Sequence, residues 1–174
     1  MARVWLGFGG NLGDVRETLR RVESRLVTPD LFAVRRAGLY RTAPIGPPGQ
    51  PDYLNTVIEA ETTLGPETLL DRLKHLEVDL GRVPSERWGA RVVDLDILML
   101  DKLVYASARL QIPHVRLAER AFVLKPLAEL QPTLMIPGLR PERTVRQALA
   151  ALPDQGVARV ALGPVELLSL DQTA

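Results

Sequence analysis

The stretch RWGARVVDLDILML, Arg87 to Leu100, decides how this sequence is read. It is a basic loop followed by an apolar run with aspartates at alternate positions, Asp94 and Asp96. Val92 to Leu100 has the composition of a β-strand, in which residues two apart share a face and lie roughly 6.6 Å apart. Both carboxylates then project from one side of a strand built of Val, Leu, Ile and Met. Two like charges on one apolar face repel and are costly to desolvate, so a cation must compensate them. The candidates are a divalent metal or the nearby arginines Arg82, Arg87 and Arg91. Carboxylates, guanidiniums and no evident protein nucleophile point to metal-assisted phosphate chemistry. A structural ion-pair cluster at a strand edge would leave the same signature.

Composition narrows the class. At 174 residues, with 46% hydrophobic and 25% charged residues, the chain suits one globular domain, expected to span 1–174. The absence of cysteine excludes disulfides, a thiolate nucleophile and Cys-ligated metal. A net charge of +1 argues against nucleic acid or a membrane surface as the main partner. MARVWLGFGG leads straight into a strand pattern without the apolar core of a secretory signal, and no run has the length of a membrane span. A cytoplasmic location is expected by default, and a monomer is the simplest state.

Working outward along the chain, Val4 to Phe8 predicts a first strand that runs into the turn Gly9, Gly10, Asn11, Leu12, Gly13. Asp14 suits an N-cap, with Val15, Leu19, Val22 and Leu26 at helical spacing. GFGGNLG does not fit G-x-G-x-x-G, so a dinucleotide fold is set aside. Leu31 to Tyr40 predicts a second strand, and Arg41 to Tyr53 a long loop whose four prolines and two glycines exclude regular structure. Leu54 to Thr63 is a third strand. Pro66 opens a helix with Leu69, Leu70, Leu73, Leu76 and Leu80 as its apolar stripe, ended by Gly81. His75 falls off that stripe and reads as solvated. Glu77 lies at its edge, placed to orient a ligand or to pair with an arginine.

Asp101 and Lys102 predict a hairpin turn into Leu103 to Tyr105, with Arg109 to Ile112 as a neighbour. A further helix is expected over Leu117 to Leu130, kinked or divided by Pro126. The tail contains a short helix near Thr144 to Ala151 and a strand over Ala158 to Leu162. The leading order, β, α, β, β, α, β, is the split βαβ plan. It predicts an α+β, ferredoxin-like, mostly antiparallel sheet with extra C-terminal elements, its helices packed on one face and the other face left free.

Four blocks carry a resemblance: FGGNLGD from Phe8, YRTAPIGPPGQPDYLNTV from Tyr40, RWGARVVDLDILML from Arg87 and PHVRLAERAFVLKPLAEL from Pro113. In this order and spacing, over most of residues 3 to 137, the sequence resembles the 6-hydroxymethyl-7,8-dihydropterin pyrophosphokinases of folate biosynthesis. The resemblance implies transfer of pyrophosphate from ATP to the pterin hydroxymethyl group, with release of AMP. It implies two Mg2+ ions on Asp94 and Asp96. It implies a pterin site of Thr42, Ala43, Ile45, Tyr53 and Asn55, with the ring between Trp88 and Phe122. For ATP it implies Glu77, Arg82, Arg91, His114 and Arg120, with Ile97 and Leu110 beside the adenine. Arg82 and Arg91 join the aspartates as catalytic groups, and Asn11 is expected to fix loop geometry. Two departures stand out. The family's loop often carries a second arginine shortly after the position of Arg82, whereas Val83, Pro84 and Ser85 follow here in a loop a residue shorter. Ala90 replaces a common proline.

A ferredoxin-like module binding a small ligand or RNA is the non-enzymatic alternative, but RNA binding calls for a basic face and strand aromatics. Only three Phe and three Tyr are present. A metal-dependent phosphoryl transferase with another acceptor would share the aspartates without needing Asn55, Trp88 and Phe122.

Overall fold

The structure, a computed structural model, describes residues 1–86 and 88–160 and the backbone of 166–167. Its elements are β1 (Ala2–Gly10), α1 (Val15–Arg25), β2 (Val27–Thr28), β3 (Leu31–Arg36), β4 (Tyr40–Thr42), β5 (Tyr53–Thr62), α2 (Pro66–Asp79), β6 (Asp94–Leu100), β7 (Tyr105–Ala106) and β8 (Gln111–Ile112). A 3-10 turn (Leu117–Glu119), α3 (Ala121–Leu130), α4 (Val145–Ala150), β9 (Ala158–Arg159) and β10 (Glu166–Leu167) follow. The four long strands lie in the order β3, β5, β1, β6, every neighbour antiparallel. Counted by appearance this is second, third, first, fourth, which is the expected ferredoxin-like α+β sheet.

Strand alternation sorts the core. Val4, Leu6 and Phe8 of β1, Ile58 and Ala60 of β5, and Leu95 and Ile97 of β6 bury one face under α1 and α2. The helices bring the periodic residues that the sequence singles out: Val15, Leu19, Val22 and Leu26, then Leu69, Leu73, Leu76 and Leu80. Asp14 caps α1 by accepting from Glu17 N at 3.0 Å, and Pro66 begins α2.

The other face is not left free. Trp5, Val57, Leu98 and Met99 are buried there beneath α3 and α4, because an apolar sheet face of this size requires a cover. The cover extends over only part of the face. Toward the end of β1 the sheet carries Gly7 and Gly9 in place of bulky side chains, and there it stays open.

Three other expectations are corrected. Leu31 to Tyr40 is not one strand, because the ladder slips between Ala33 and Arg35 and the chain leaves the sheet after Arg36. The buried Thr56 hydroxyl lies 3.0 Å from the carbonyls of both Ala37 and Gly38, replacing the missing ladder bonds. Leu103 to Tyr105 does not pair with β6. The short hairpin is β7 with β8, and the β6 edge instead receives His114 N at Leu98 O, 2.9 Å. The third helix divides at Arg120, whose backbone is extended, and not at Pro126, which sits inside a continuous α3 with its ring buried. In the tail Thr144 and Gln147 form a capping box for α4. The strand expected to reach Leu162 covers Ala158–Arg159; Val160 lies beyond it and donates its N–H to Leu39 O at 2.8 Å, while 161–162 lie outside the described residues.

Glu129 of α3 ties the late elements to the sheet. Its carboxylate accepts from Gly38 N at 3.0 Å, from Arg159 Nε at 2.9 Å and from the Tyr40 hydroxyl. Burial pushes this carboxyl up, but the bonds from Arg159, Tyr40 and Gly38 outweigh it and hold it below its ordinary range. A group depressed in this way stabilises the fold above the unfolded pKa, and the contribution is lost as pH falls. Glu129→Ala should therefore cost about 1–3 kcal/mol at pH 7. In urea melts the gap from the parent protein should close as pH drops below about 4.

Candidate active site

The open end of the second sheet face forms a cavity of about 170 Å3. Its floor is set by register. Gly9 lies opposite Asn55 on one side and Asp94 on the other, and Gly7 lies opposite Val57 and Asp96. A Cβ on Gly9 would come within 3.0 Å of Asn55 Oδ1, so glycine there keeps the space between the amide and the carboxylates clear. The walls are Thr42, Ala43, Ile45 and Tyr53 from the Pro-rich loop and β5, Trp88 and Arg91 from the basic loop, and Arg120, Phe122 and Val123 from the start of α3. It is a slot with an apolar rim, a polar back edge at Asn55 and a charged end at the aspartates.

The charged end starts at Glu77, which is buried. One of its oxygens accepts from Leu95 N at 2.6 Å and from Lys74 Nζ at 2.7 Å, and the other from Arg82 Nη1 at 2.6 Å. Arg82 then reaches Asp94 at 2.6 Å, and Arg91 reaches the second oxygen of Asp94 at 3.1 Å. Burial pushes the Asp94 carboxyl up, but Arg82, Lys74 and Arg91 outweigh it and hold it below the usual carboxylate range.

Asp96 is different. Among the described residues its one ion-pair contact is His114 Nε2, at 3.9 Å, and burial together with Asp94 raises its pKa. The question of what neutralises the aspartates thus has two answers. The arginines satisfy Asp94 and leave Asp96 short of positive charge; Arg87 lies outside the described residues.

That imbalance is the test for a metal. Among the described residues no group of three or more His, Asp or Glu converges on one point, so a cage made wholly of protein ligands is absent there. Mg2+ does not require one, since it commonly takes one or two carboxylates and completes its octahedron with water and substrate phosphates. Asp94 and Asp96, on one face with Asp96 uncompensated, fit that mode.

His114 is pre-set as a donor. Its Nδ1 accepts from Arg116 N at 3.1 Å, so the neutral ring carries its proton on Nε2, the nitrogen facing Asp96. Burial lowers its pKa despite the nearby aspartate, which favours that neutral form. Arg120 is also lowered, by burial first and then by Arg116. Its guanidinium carbon stands 5.5 Å from the centre of the Phe122 ring.

Asn11 joins three loops. Its side chain donates to Gln50 Oε1 at 3.2 Å and Pro51 O at 3.0 Å, and accepts from Arg91 N at 2.9 Å. Gln50 reaches Trp88 O at 2.9 Å and Tyr53 donates its hydroxyl to Gly89 O at 3.1 Å. The glycine turn, the Pro-rich loop and the basic loop are thereby fastened around one opening.

Of the residues anticipated for a pterin, Thr42, Ala43, Ile45, Tyr53, Asn55, Trp88 and Phe122 all line the slot, with Asp94, Asp96, Arg91 and Arg120. Asn55 Nδ2 donates to Thr42 Oγ1 at 3.0 Å. Glu77 turns inward and organises Arg82. Ile97 is buried on the opposite face, and Leu110 packs against the same core cluster. Sequence reasoning passed over Lys74, which donates to Glu77 and to Leu95 O at 2.9 Å. It also passed over Arg116, whose guanidinium carbon lies 6.0 Å from the Trp88 ring centre. Lys74 stands three residues before Glu77 on one helix, a spacing that was legible. Nothing in the sequence linked Arg116 to a tryptophan 28 positions away.

Comparisons with known proteins give the family. The family model of 7,8-dihydro-6-hydroxymethylpterin-pyrophosphokinase matches residues 5–132. A 2-amino-4-hydroxy-6-hydroxymethyldihydropteridine pyrophosphokinase from Methylorubrum extorquens is 43% identical over 161 residues, covering 92% of this chain and 99% of that protein. One from Pseudomonas aeruginosa is 38% identical over 159 residues, 91% of this chain and 96% of that one. Among solved structures, wild-type Plasmodium falciparum HPPK-DHPS with SDX-DHP aligns over 86% of this chain with a TM-score of 0.69 and 13% identity, which bears on the fold alone. This chain spans 44% of that one. With a family model running across most of the sequence and relatives matched over nearly their full length, the chain belongs to the 7,8-dihydro-6-hydroxymethylpterin-pyrophosphokinase family.

Proposed function

We propose that this chain moves the β,γ-pyrophosphoryl group of ATP to the hydroxymethyl oxygen of 6-hydroxymethyl-7,8-dihydropterin in the slot described above. The hydroxyl oxygen bonds to the β-phosphorus, the bond from that phosphorus to the α,β-bridging oxygen breaks, and AMP leaves with the bridging oxygen. The hydroxyl proton passes to solvent water as the new bond forms, so that the reaction releases one proton with the AMP. No covalent enzyme intermediate is needed. The protein contributes in-line placement and a field that spreads phosphate charge.

The observation that carries the reading is the unequal treatment of the two aspartates at the charged end of a flat slot. The pterin lies across the glycine floor, its faces against Trp88 and Phe122 and its polar edge toward Asn55, with Thr42, Ala43, Ile45 and Tyr53 completing the enclosure. Arg82, Arg91 and Arg120 take phosphate oxygens, and His114 donates from Nε2. Glu77 acts on ATP through its hold on Arg82. Leu110 borders the adenine, and Ile97 supports it from the core beneath. Asp94 and Asp96 would hold two Mg2+ ions, which would neutralise phosphate charge and polarise the transferred group. The whole chain acts as one domain, as a cytoplasmic monomer that engages no nucleic acid or membrane.

Incubation with ATP, Mg2+ and 6-hydroxymethyl-7,8-dihydropterin should release AMP and the pterin diphosphate in equal amounts. ADP as product would replace this reading with a simple kinase, and an unchanged nucleotide with a binding module. Asp96→Asn should lower turnover by roughly 100-fold or more at an unchanged melting temperature, because Asp96 has no hydrogen-bond partner among the described residues. Asp94→Ala should also lose turnover, but it should melt earlier as well, since it removes the ion pair of Arg91 and one of the two of Arg82. Full activity in either variant would remove the metal assignment.

A further inference from the structure

We propose that Glu67 is a positioning residue for ATP: it fastens the β7–β8 hairpin to the first turn of α2 and so fixes Leu110 where the adenine docks. The proposal rests on the reading that Leu110 borders the adenine. The hairpin is too small to hold its own place. Each strand is two residues long, Tyr105–Ala106 against Gln111–Ile112, and so short a ladder is marginal in water. Its tip is tied by one side chain. Ser107 Oγ accepts from Arg109 N at 3.2 Å and from Leu110 N at 3.1 Å, while Ser107 N donates to Leu110 O at 2.8 Å.

Those bonds close the tip on itself and leave its seat on the rest of the fold to other contacts. Tyr105 and Leu110 pack against the core beneath, an attraction without direction. The directional link is Glu67. One of its oxygens accepts from the Ser107 hydroxyl at 2.6 Å and the Tyr105 hydroxyl at 3.1 Å, and the other from Arg109 Nη1 at 3.2 Å. Arg109 also pairs with Asp71, one turn further along α2 and on the same helix face. The helix dipole by itself favours an acid in the first turn, where Glu67 stands after Pro66. It does not call for donors from three residues of one hairpin, nor for a second carboxylate on the same guanidinium.

The consequence is preorganisation. A hairpin already seated on α2 loses less freedom when a base docks against it. The chain runs on from Leu110 to His114, but His114 has anchors of its own, its N–H on Leu98 O and its Nδ1 on Arg116 N. Glu67 and its partners also lie off the slot lined by Thr42, Asn55 and Phe122. The influence of Glu67 therefore falls on the base of the nucleotide, and not on its phosphates or on the pterin.

The test uses the full-length chain with Glu67→Ala, Glu67→Gln and Ser107→Ala. It combines steady-state kinetics for both substrates, inhibition by AMP and by inorganic tripolyphosphate with Mg2+, and hydrogen exchange read by mass spectrometry. Glu67→Ala should raise the ATP KM and the AMP inhibition constant together, roughly three- to ten-fold, the range expected when one more side chain must be ordered on binding. The pterin KM, kcat and the tripolyphosphate constant should hold, which a general loosening of the fold would not allow. The amides of 105–112 should exchange faster without nucleotide and regain protection with AMP bound. Glu67→Gln, which keeps an oxygen for the two hydroxyls, should recover most of the loss. Glu67→Ala on top of Ser107→Ala should do little more than the larger single change. The proposal is overturned if the pterin KM or the tripolyphosphate constant moves with the ATP KM, or if exchange at the hairpin does not change. It is equally overturned if Glu67→Ala leaves the ATP KM unchanged while Leu110→Ala weakens AMP. If Leu110→Ala leaves AMP inhibition unchanged, the adenine reading fails and the nucleotide role of Glu67 fails with it.

Discussion

The site depends on one buried carboxylate that does no chemistry. Glu77 is enclosed at the interface of α2 and β6, where an unpaired charge would not be tolerated. It is satisfied by Leu95 N, Lys74 and Arg82. Each of those bonds has a consequence. The first pins β6 beside α2 next to Asp94, the second turns Lys74 toward the strand, and the third aims Arg82 at Asp94. Because Arg82 and Arg91 are already committed to Asp94, Asp96 is left as the carboxylate short of positive charge. A structural ion-pair cluster would have neutralised both. The asymmetry leaves Asp96 as the carboxylate with room for an added cation, which a strand-holding ion-pair cluster would not require.

The floor of the slot follows from the same strand. Cross-strand register sets Gly7 against Asp96 and Gly9 against both Asp94 and Asn55. The carboxylates and the amide therefore share one face without side chains between them. The cover over this face ends at Arg120, where the backbone turns extended before α3 begins. That break is why Phe122 and Arg120 stand at the edge of the slot. Had the helix run unbroken from Leu117, as periodicity suggests, the entry of α3 would be aimed elsewhere.

What was legible in the sequence was whatever has a period or a short-range signature. The alternation of Asp94 and Asp96, the leucine stripe of α2, the Asp14 cap and the βαββαβ order all survive in the structure. So does the gathering of Asn55, Trp88 and Phe122 on one cavity, which the resemblance implied. What escaped was set by tertiary choice. The second face is covered because Trp5, Val57, Leu98 and Met99 need a partner, and no local pattern states that α3 and α4 supply it. The split of the second strand depends on Thr56, eighteen or more positions away, taking two carbonyls. Pro126 misled because its missing N–H matters less than where the chain must turn, and the turn is required at Arg120.

The basic loop shows how a departure from the family pattern is absorbed. Val83, Pro84 and Ser85 stand where the family often has another arginine, and Val83 is largely exposed, at 70%. The loop is nevertheless anchored at both ends. Arg82 is gripped by Glu77 and Asp94, while Trp88 O and Gly89 O accept from Gln50 and Tyr53. Within it Gly89 N closes a turn onto Glu86 O at 3.0 Å. Proline between two such posts narrows the backbone conformations open to the segment, which favours a defined path over a long flexible one. The positive charge absent from the loop has counterparts in more rigid elements, with Lys74 on α2 and Arg120 at the head of α3 both acting on the aspartates. Charge carried on a helix or at its first turn is fixed by the fold, whereas charge on a loop must be ordered first. The shorter loop thus stands beside cations that the fold itself fixes around Asp94 and Asp96.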